Sequence, residues 1–141
     1  MKTVFPSRLL KFGLWADALA SGTLAGLQLA LPDWLNHFTQ LPRTLIVETG
    51  VFMAAYAALA LVMANCTRLA SLPVALVALG NVGWAACAVA LAVFDLVSPN
   101  SFGLLFLAAH ALGVLPLAAL QWKGLAASAS ASGPASAGLR S

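Results

Sequence analysis

The chain has 141 residues, 62% hydrophobic and only 8% charged, with a mean hydropathy of +0.95. This excludes a soluble domain of that size, and the apolar stretches leave no room for a soluble catalytic domain beside them. The net charge of +3 and pI of about 9.3 come from basic residues at the edges of those stretches, so they report membrane topology and exclude nucleic acid as a partner.

Residues 1–11 form a short basic lead carrying Lys2, Arg8 and Lys11, with Pro6 and Ser7 placed to start a helix. A first span is predicted over about 12–31, with Trp15 and Trp34 as interfacial anchors. Ala18-Leu19-Ala20 imitates a signal-peptide cleavage site, but Asp17 interrupts the apolar run before it and the run continues to Leu31. The segment therefore reads as an uncleaved span. Polar residues from Pro32 to Pro42, among them Asp33, Asn36, His37, Thr39 and Gln40, predict a loop holding a short surface helix. The second span, over about 44–64, is interrupted only by Glu48, Thr49, Gly50 and Tyr56. The third, over about 73–94, carries Gly80-Asn81-Val82-Gly83-Trp84, and Asp95 to Ser101 turns the chain. The fourth, over about 102–122, contains His110, Gly113 and Pro116, the last expected to kink it or loosen its backbone. Residues 125–141 are rich in Ala, Ser and Gly and are expected to be a disordered tail.

The expected fold is thus all-α: one four-transmembrane-helix bundle over residues 1–124. Six Lys and Arg residues fall on the side of the termini and Arg43 stands alone on the other, which predicts cytoplasmic termini for an inner-membrane protein.

Polar residues within the spans carry whatever chemistry the chain has. Asp17 and Gln28 lie eleven residues apart, which returns a helix to nearly the same face, and Ser21 shares that side. Depth along the spans predicts a meeting of Asp17, Ser21 and Asn81 in the inner half, and of Gln28, Glu48 and His110 in the outer half. A carboxylate inside a bilayer costs at least a few kcal/mol unless hydrated or paired. The leading reading is that these groups form interhelical hydrogen bonds, worth roughly 1 kcal/mol each, in a non-enzymatic accessory or interaction bundle. An alternative is a small proton-coupled transporter or channel using Asp17 or Glu48. A second alternative, haem- or redox-linked, rests on His110 as an axial ligand, with His37 far away in the outer loop.

Gly22, Gly26, Gly80 and Gly83 are expected to let helices pack closely. Cys66 and Cys87 fall at different depths, so no disulfide is expected, and neither has a partner at metal-ligand spacing. Nucleophile elbow, phosphate loop and metalloprotease motifs are all missing from the sequence. Neither enzymatic activity nor a cofactor or metal is expected. The expected partners are the lipid bilayer and a membrane protein or a second copy of the chain.

Ala16-Asp17-Ala18-Leu19-Ala20-Ser21-Gly22, Gly80-Asn81-Val82-Gly83-Trp84 and Leu120-Gln121-Trp122-Lys123-Gly124-Leu125 together resemble a group of uncharacterised bacterial four-span integral membrane proteins, over roughly Arg8 to Leu125. The resemblance implies fold and location, with no activity attached. The chain is also similar to small multidrug-resistance transporters, short four-span proteins with a carboxylate in the first helix, where Asp17 is the counterpart. It departs from them in using Asp for Glu and in its strong charge bias.

Overall fold

The structure, a computed structural model, describes residues 3–130. Its elements are β1 (Thr3–Phe5), α1 (Arg8–Ala30), α2 (Pro32–Thr39), α3 (Arg43–Asn65), β2 (Leu69–Ala70), α4 (Ser71–Val93), α5 (Ser101–Ala126) and β3 (Ala129–Ser130). Helices α3, α4 and α5 are each long and apolar enough to cross a membrane. Helix α1 qualifies only together with α2, from which it is bent by 92°, because Asp17, Ser21 and Gln28 dilute its apolar character.

Side-chain caps set two of the helix starts. The Ser7 hydroxyl accepts from Leu10 N at the head of α1, and the Asn100 side chain accepts from Gly103 N at the head of α5, each satisfying a backbone donor the helix leaves free. Pro32 opens α2, where its missing N–H costs nothing, and Gln40 closes it in the left-handed region at φ 59°. Asn100 Nδ2 donates to Phe38 O (2.9 Å) and the Phe38 ring packs on Phe102 (4.4 Å between centroids), so α2 lies across the end of the bundle against the start of α5.

The long helices pack in the order α3, α1, α5, α4: α1 lies against both α3 and α5, α5 lies against α4, and α3 and α4 stay apart. The arc is open along one side. Two apolar clusters fill its ends. Leu10, Leu14, Met63, Val74 and Val77 lie at the end holding the chain terminus, and Leu35, Leu41, Ile46 and Leu107 at the end covered by α2. Between them the interior is polar, with Asp17, Ser21, Gln28, Asn81, His110 and Gln121 all buried. Large apolar side chains point outwards instead, Leu19 being 63% and Leu112 69% exposed. Polar inside and apolar outside is the arrangement a hydrocarbon solvent rewards.

Three findings differ from the sequence reading. Residues 3–5 of the basic lead form a strand, the middle one of a small antiparallel sheet in the order β2-β1-β3, with Val4 opposite both Leu69 and Ser130. Helix α5 runs on to Ala126, and Ala129–Ser130 is that sheet's third strand, so the first residues of the predicted disordered tail are ordered. Hydrogen bonds hold them: Ser7 Oγ donates to Gly124 O (2.7 Å), and Ser7 N donates to Ser128 Oγ (3.0 Å). The rest of the tail, and Lys2 and Arg140, lie outside the described residues.

The glycine pattern is the third. Nothing lies within 4 Å of the position a Cβ would take at Gly26, Gly80 or Gly83, and at Gly22 only Ala57 is near, at an ordinary 3.7 Å. Gly26, Gly80 and Gly83 therefore face outwards and Gly22 makes only ordinary contact with α3, because the buried polar residues, not the small ones, choose which face turns inwards. The close approaches are elsewhere. A Cβ at Gly124 would lie 2.5 Å from Leu10 N and 2.6 Å from its Cα, and one at Gly50 would lie 3.0 Å from Gln28 Cβ.

Backbone cannot yield as a side chain does, so Gly124→Val is expected to destabilise the protein by about 3 kcal/mol or more. Gly80→Ala, which meets open space and favours the helix, is expected to be neutral or to stabilise by up to about 1 kcal/mol. Thermal unfolding of the two variants in detergent separates the cases.

Candidate functional site

The side chains of four helices converge on one carboxyl group. Asp17 is fully buried. Its Oδ2 accepts from the Tyr56 hydroxyl (2.6 Å), Asn81 Nδ2 (2.7 Å) and Gln121 Nε2 (2.6 Å), and its Oδ1 accepts from Ser21 Oγ (3.2 Å). The donors come from α3, α4, α5 and α1 in turn. Asn81 Nδ2 also donates to Gln121 Oε1 (3.2 Å), tying α4 to α5 directly. A polar group buried in hydrocarbon is costly unless its hydrogen bonds are made, and here four are.

A second polar layer lies further along the bundle. His110 Nδ1 lies 2.9 Å from Phe106 O, and since a carbonyl only accepts, that nitrogen carries the ring proton in the neutral imidazole. Nε2 is then the acceptor, and Gln28 Nε2 donates to it across 3.4 Å. Thr49 Oγ1 stands 3.4 Å from Gln28 Oε1 but only 2.6 Å from Leu45 O.

The two layers are in register because α1 and α5 run antiparallel and both carry polar residues at the same interval. Asp17 and Gln28 are eleven residues apart, and so are His110 and Gln121, so Asp17 meets Gln121 where Gln28 meets His110. The first interval is visible in the sequence, whereas Gln121 falls at the predicted end of its span and Tyr56, the only tyrosine, reads there as an interruption of an apolar one.

Asp17, Ser21 and Asn81 are brought together as expected, and Gln28 and His110 also meet. Glu48 does not join them. It is exposed, and its neighbour Thr49 takes the inward-facing position, because one residue along a helix turns the side chain by about 100°. His37 is exposed on α2, Cys66 and Cys87 are free thiols, and among the described residues no group of three His, Cys, Asp or Glu side chains is placed to hold a metal ion.

On the open side of the arc, the Trp84 ring of α4 stacks on Phe52 of α3 (5.5 Å between centroids, 4° between planes) and bridges the gap. Trp84 borders two cavities. One, of about 50 Å³, touches Ser21, Tyr56 and Asn81 beside the carboxyl group. The other, of about 340 Å³, lies between α3 and α4 against Gln28, Thr49 and His110.

Compared with protein-family models, curated proteins and solved structures, the chain matches none. The chemistry has to be read from the geometry. Four donors on one acceptor form a fixed anchor, since any outward swing of Asp17 breaks bonds to three other helices at once.

An amide at position 17 can keep this pattern, with its oxygen at the Oδ2 position and its NH₂ donating to Ser21. Asp17→Asn is therefore expected to leave a folded protein. Asp17→Ala strands the Tyr56, Asn81 and Gln121 donors, at about 1 to 3 kcal/mol for each group left unmade. Yield and unfolding midpoint of the two variants check this. Equal losses in both would contradict it.

Proposed function

We propose that the chain is a four-span integral membrane protein of a bacterial inner membrane, with both termini cytoplasmic, acting without catalysis as an accessory or interaction bundle. Helix α1, at about 1.5 Å per residue, is long enough to cross a hydrocarbon core of about 30 Å by itself. Helix α2 would then lie along the outer surface, as its 92° bend suits. The charge distribution supports this orientation. Arg8, Lys11, Arg68 and Lys123 gather at the end of the bundle that holds the small sheet, while Arg43 at the opposite end is paired with Asp33 (2.6 Å).

The observation that carries the non-catalytic reading is the engagement of Asp17 by a donor from every long helix. A site that loads and unloads a proton or cation needs a group with a free lone pair and a route to water. Here Oδ2 is fully engaged by three donors, Oδ1 holds a fourth from Ser21, and the neighbouring cavity among the described residues measures about 50 Å³. The exposed position of Glu48 weighs the same way, and the engagement of both His110 ring nitrogens counts against an axial-ligand role.

The test is flux in proteoliposomes. Internal pH, followed on adding a panel of inorganic and organic cations, is expected to match empty liposomes for the wild type and for Asp17→Asn and Glu48→Gln. Flux in the wild type that disappears in a folded Asp17→Asn variant would replace this reading with a proton-coupled transporter.

A further inference from the structure

One end of the bundle carries charge that the protein leaves unanswered. Arg8, Arg68 and Lys123 are exposed there and Lys11 is half-buried, and among the described residues none of them pairs with an acid. Of the four acids in the chain, Asp17 is held inside by its donors. Asp33, Glu48 and Asp95 lie towards the far end, in α2, the second turn of α3 and the turn before α5. The charge at the sheet end is therefore of one sign, and its complement is an anion.

The small sheet and its hydrogen bonds hold these bases together. Ser7 Oγ donates to Gly124 O, which brings the first turn of α1, with Arg8, against the end of α5, with Lys123. Val4 pairs with Leu69, which brings Arg68 to the same end, where its guanidinium lies 5.2 Å from the centre of the Phe5 ring. Segments from the start, middle and end of the chain thus present these charges on one scaffold.

What lies beneath the charges decides which anion. Lys11, Phe12 and Trp15 follow Arg8 by three, four and seven residues, so the four share one face of α1. That face is turned away from the bundle, with Phe12 63% and Trp15 40% exposed. At about 1.5 Å per residue, Trp15 sits about 10 Å deeper than Arg8, past a head-group layer of about 5 to 8 Å and level with the first acyl carbons. Trp122, exposed beside Lys123, repeats the combination on α5. A free phosphate would use only the upper level, and an acidic protein or nucleic acid would not reach the rings. A phospholipid with an anionic head uses both, its phosphate oxygens accepting from guanidinium and ammonium while its chains lie along the rings.

We propose that Arg8 and Lys11 bind the head group of an anionic phospholipid in the leaflet at the sheet end, with Phe12 and Trp15 against its chains. The proposal rests on the membrane placement above and is independent of whether the bundle is an accessory subunit.

The test uses the full chain in phosphatidylcholine nanodiscs with a rising fraction of phosphatidylglycerol, one lipid or the other carrying bromine on its acyl chains to quench tryptophan on contact. The part of the fluorescence lost in Trp15→Phe reports Trp15. Brominated phosphatidylglycerol is expected to quench that part with an affinity about tenfold or more above brominated phosphatidylcholine, since each base beside an anionic head group is worth about fivefold. The preference should fall as sodium chloride is raised, because salt screens charge. Arg8→Gln combined with Lys11→Gln should reduce it to about twofold or less in a protein that still unfolds cooperatively, while Arg43→Gln, at the far end, should leave it in place. Equal quenching by the two lipids, or a preference indifferent to salt, would overturn the site. A preference that survives in the double variant would overturn it in favour of diffuse attraction to the whole end. Inorganic phosphate that abolishes the preference, where chloride of the same ionic strength does not, would overturn it in favour of a free-anion site. No quenching by either lipid would overturn the membrane placement itself, and the proposal with it.

Discussion

A carboxyl group with no exposed surface, set within helices whose outer faces are hydrocarbon-like, can persist only if the protein itself replaces water around it. The other long helices answer that demand at Asp17, and each does so with a different donor: a phenol, a carboxamide on a short side chain and one on a longer side chain. The differing reach of Tyr56, Asn81 and Gln121 fixes how far each helix axis stands from α1. Apolar packing alone gives little preference for one rotation over another in lipid, where the outside is as apolar as the inside. The carboxyl group therefore sets which face of each helix turns inwards.

This explains the layered interior. Apolar clusters close the two ends, the Asp17 layer and the Gln28–His110 layer lie between them, and the spacing of eleven residues repeated on antiparallel α1 and α5 keeps both layers in register. It also explains the open side. Tyr56 and Asn81 both reach inwards to Asp17, and the Phe52–Trp84 stack spans α3 and α4 on the outside. The two helices are joined by these side chains without close approach of their backbones, and the gap that results holds the larger cavity.

The long helices, the turn regions and the meeting of Asp17 with Asn81 were legible in the sequence, because hydrophobic length and the depth of a polar residue within a span are properties of the linear chain. Rotation of each helix was not. Gly22, Gly26, Gly80 and Gly83 promised close packing by spacing alone, yet the polar residues turned most of them outwards, and the real close approaches fell at Gly50, Gly103 and Gly124. Glu48 and Thr49, adjacent in sequence, exchanged roles for the same reason. Gln121 became visible only once its interval to His110 was compared with that between Asp17 and Gln28. The strands Thr3–Phe5 and Ala129–Ser130 carry too few residues for any periodicity to announce them, and depend on a sheet partner far along the chain.

The central claim is that Tyr56, Asn81 and Gln121 stabilise the fold through Asp17 and not through separate contacts. The most direct measurement is a double-mutant cycle in detergent-induced unfolding, with Tyr56→Phe introduced into the wild type and into Asp17→Ala. The account predicts a loss of about 1 kcal/mol in the wild type and none, or a slight gain, once the carboxyl group is gone. An equal loss in both backgrounds would contradict it.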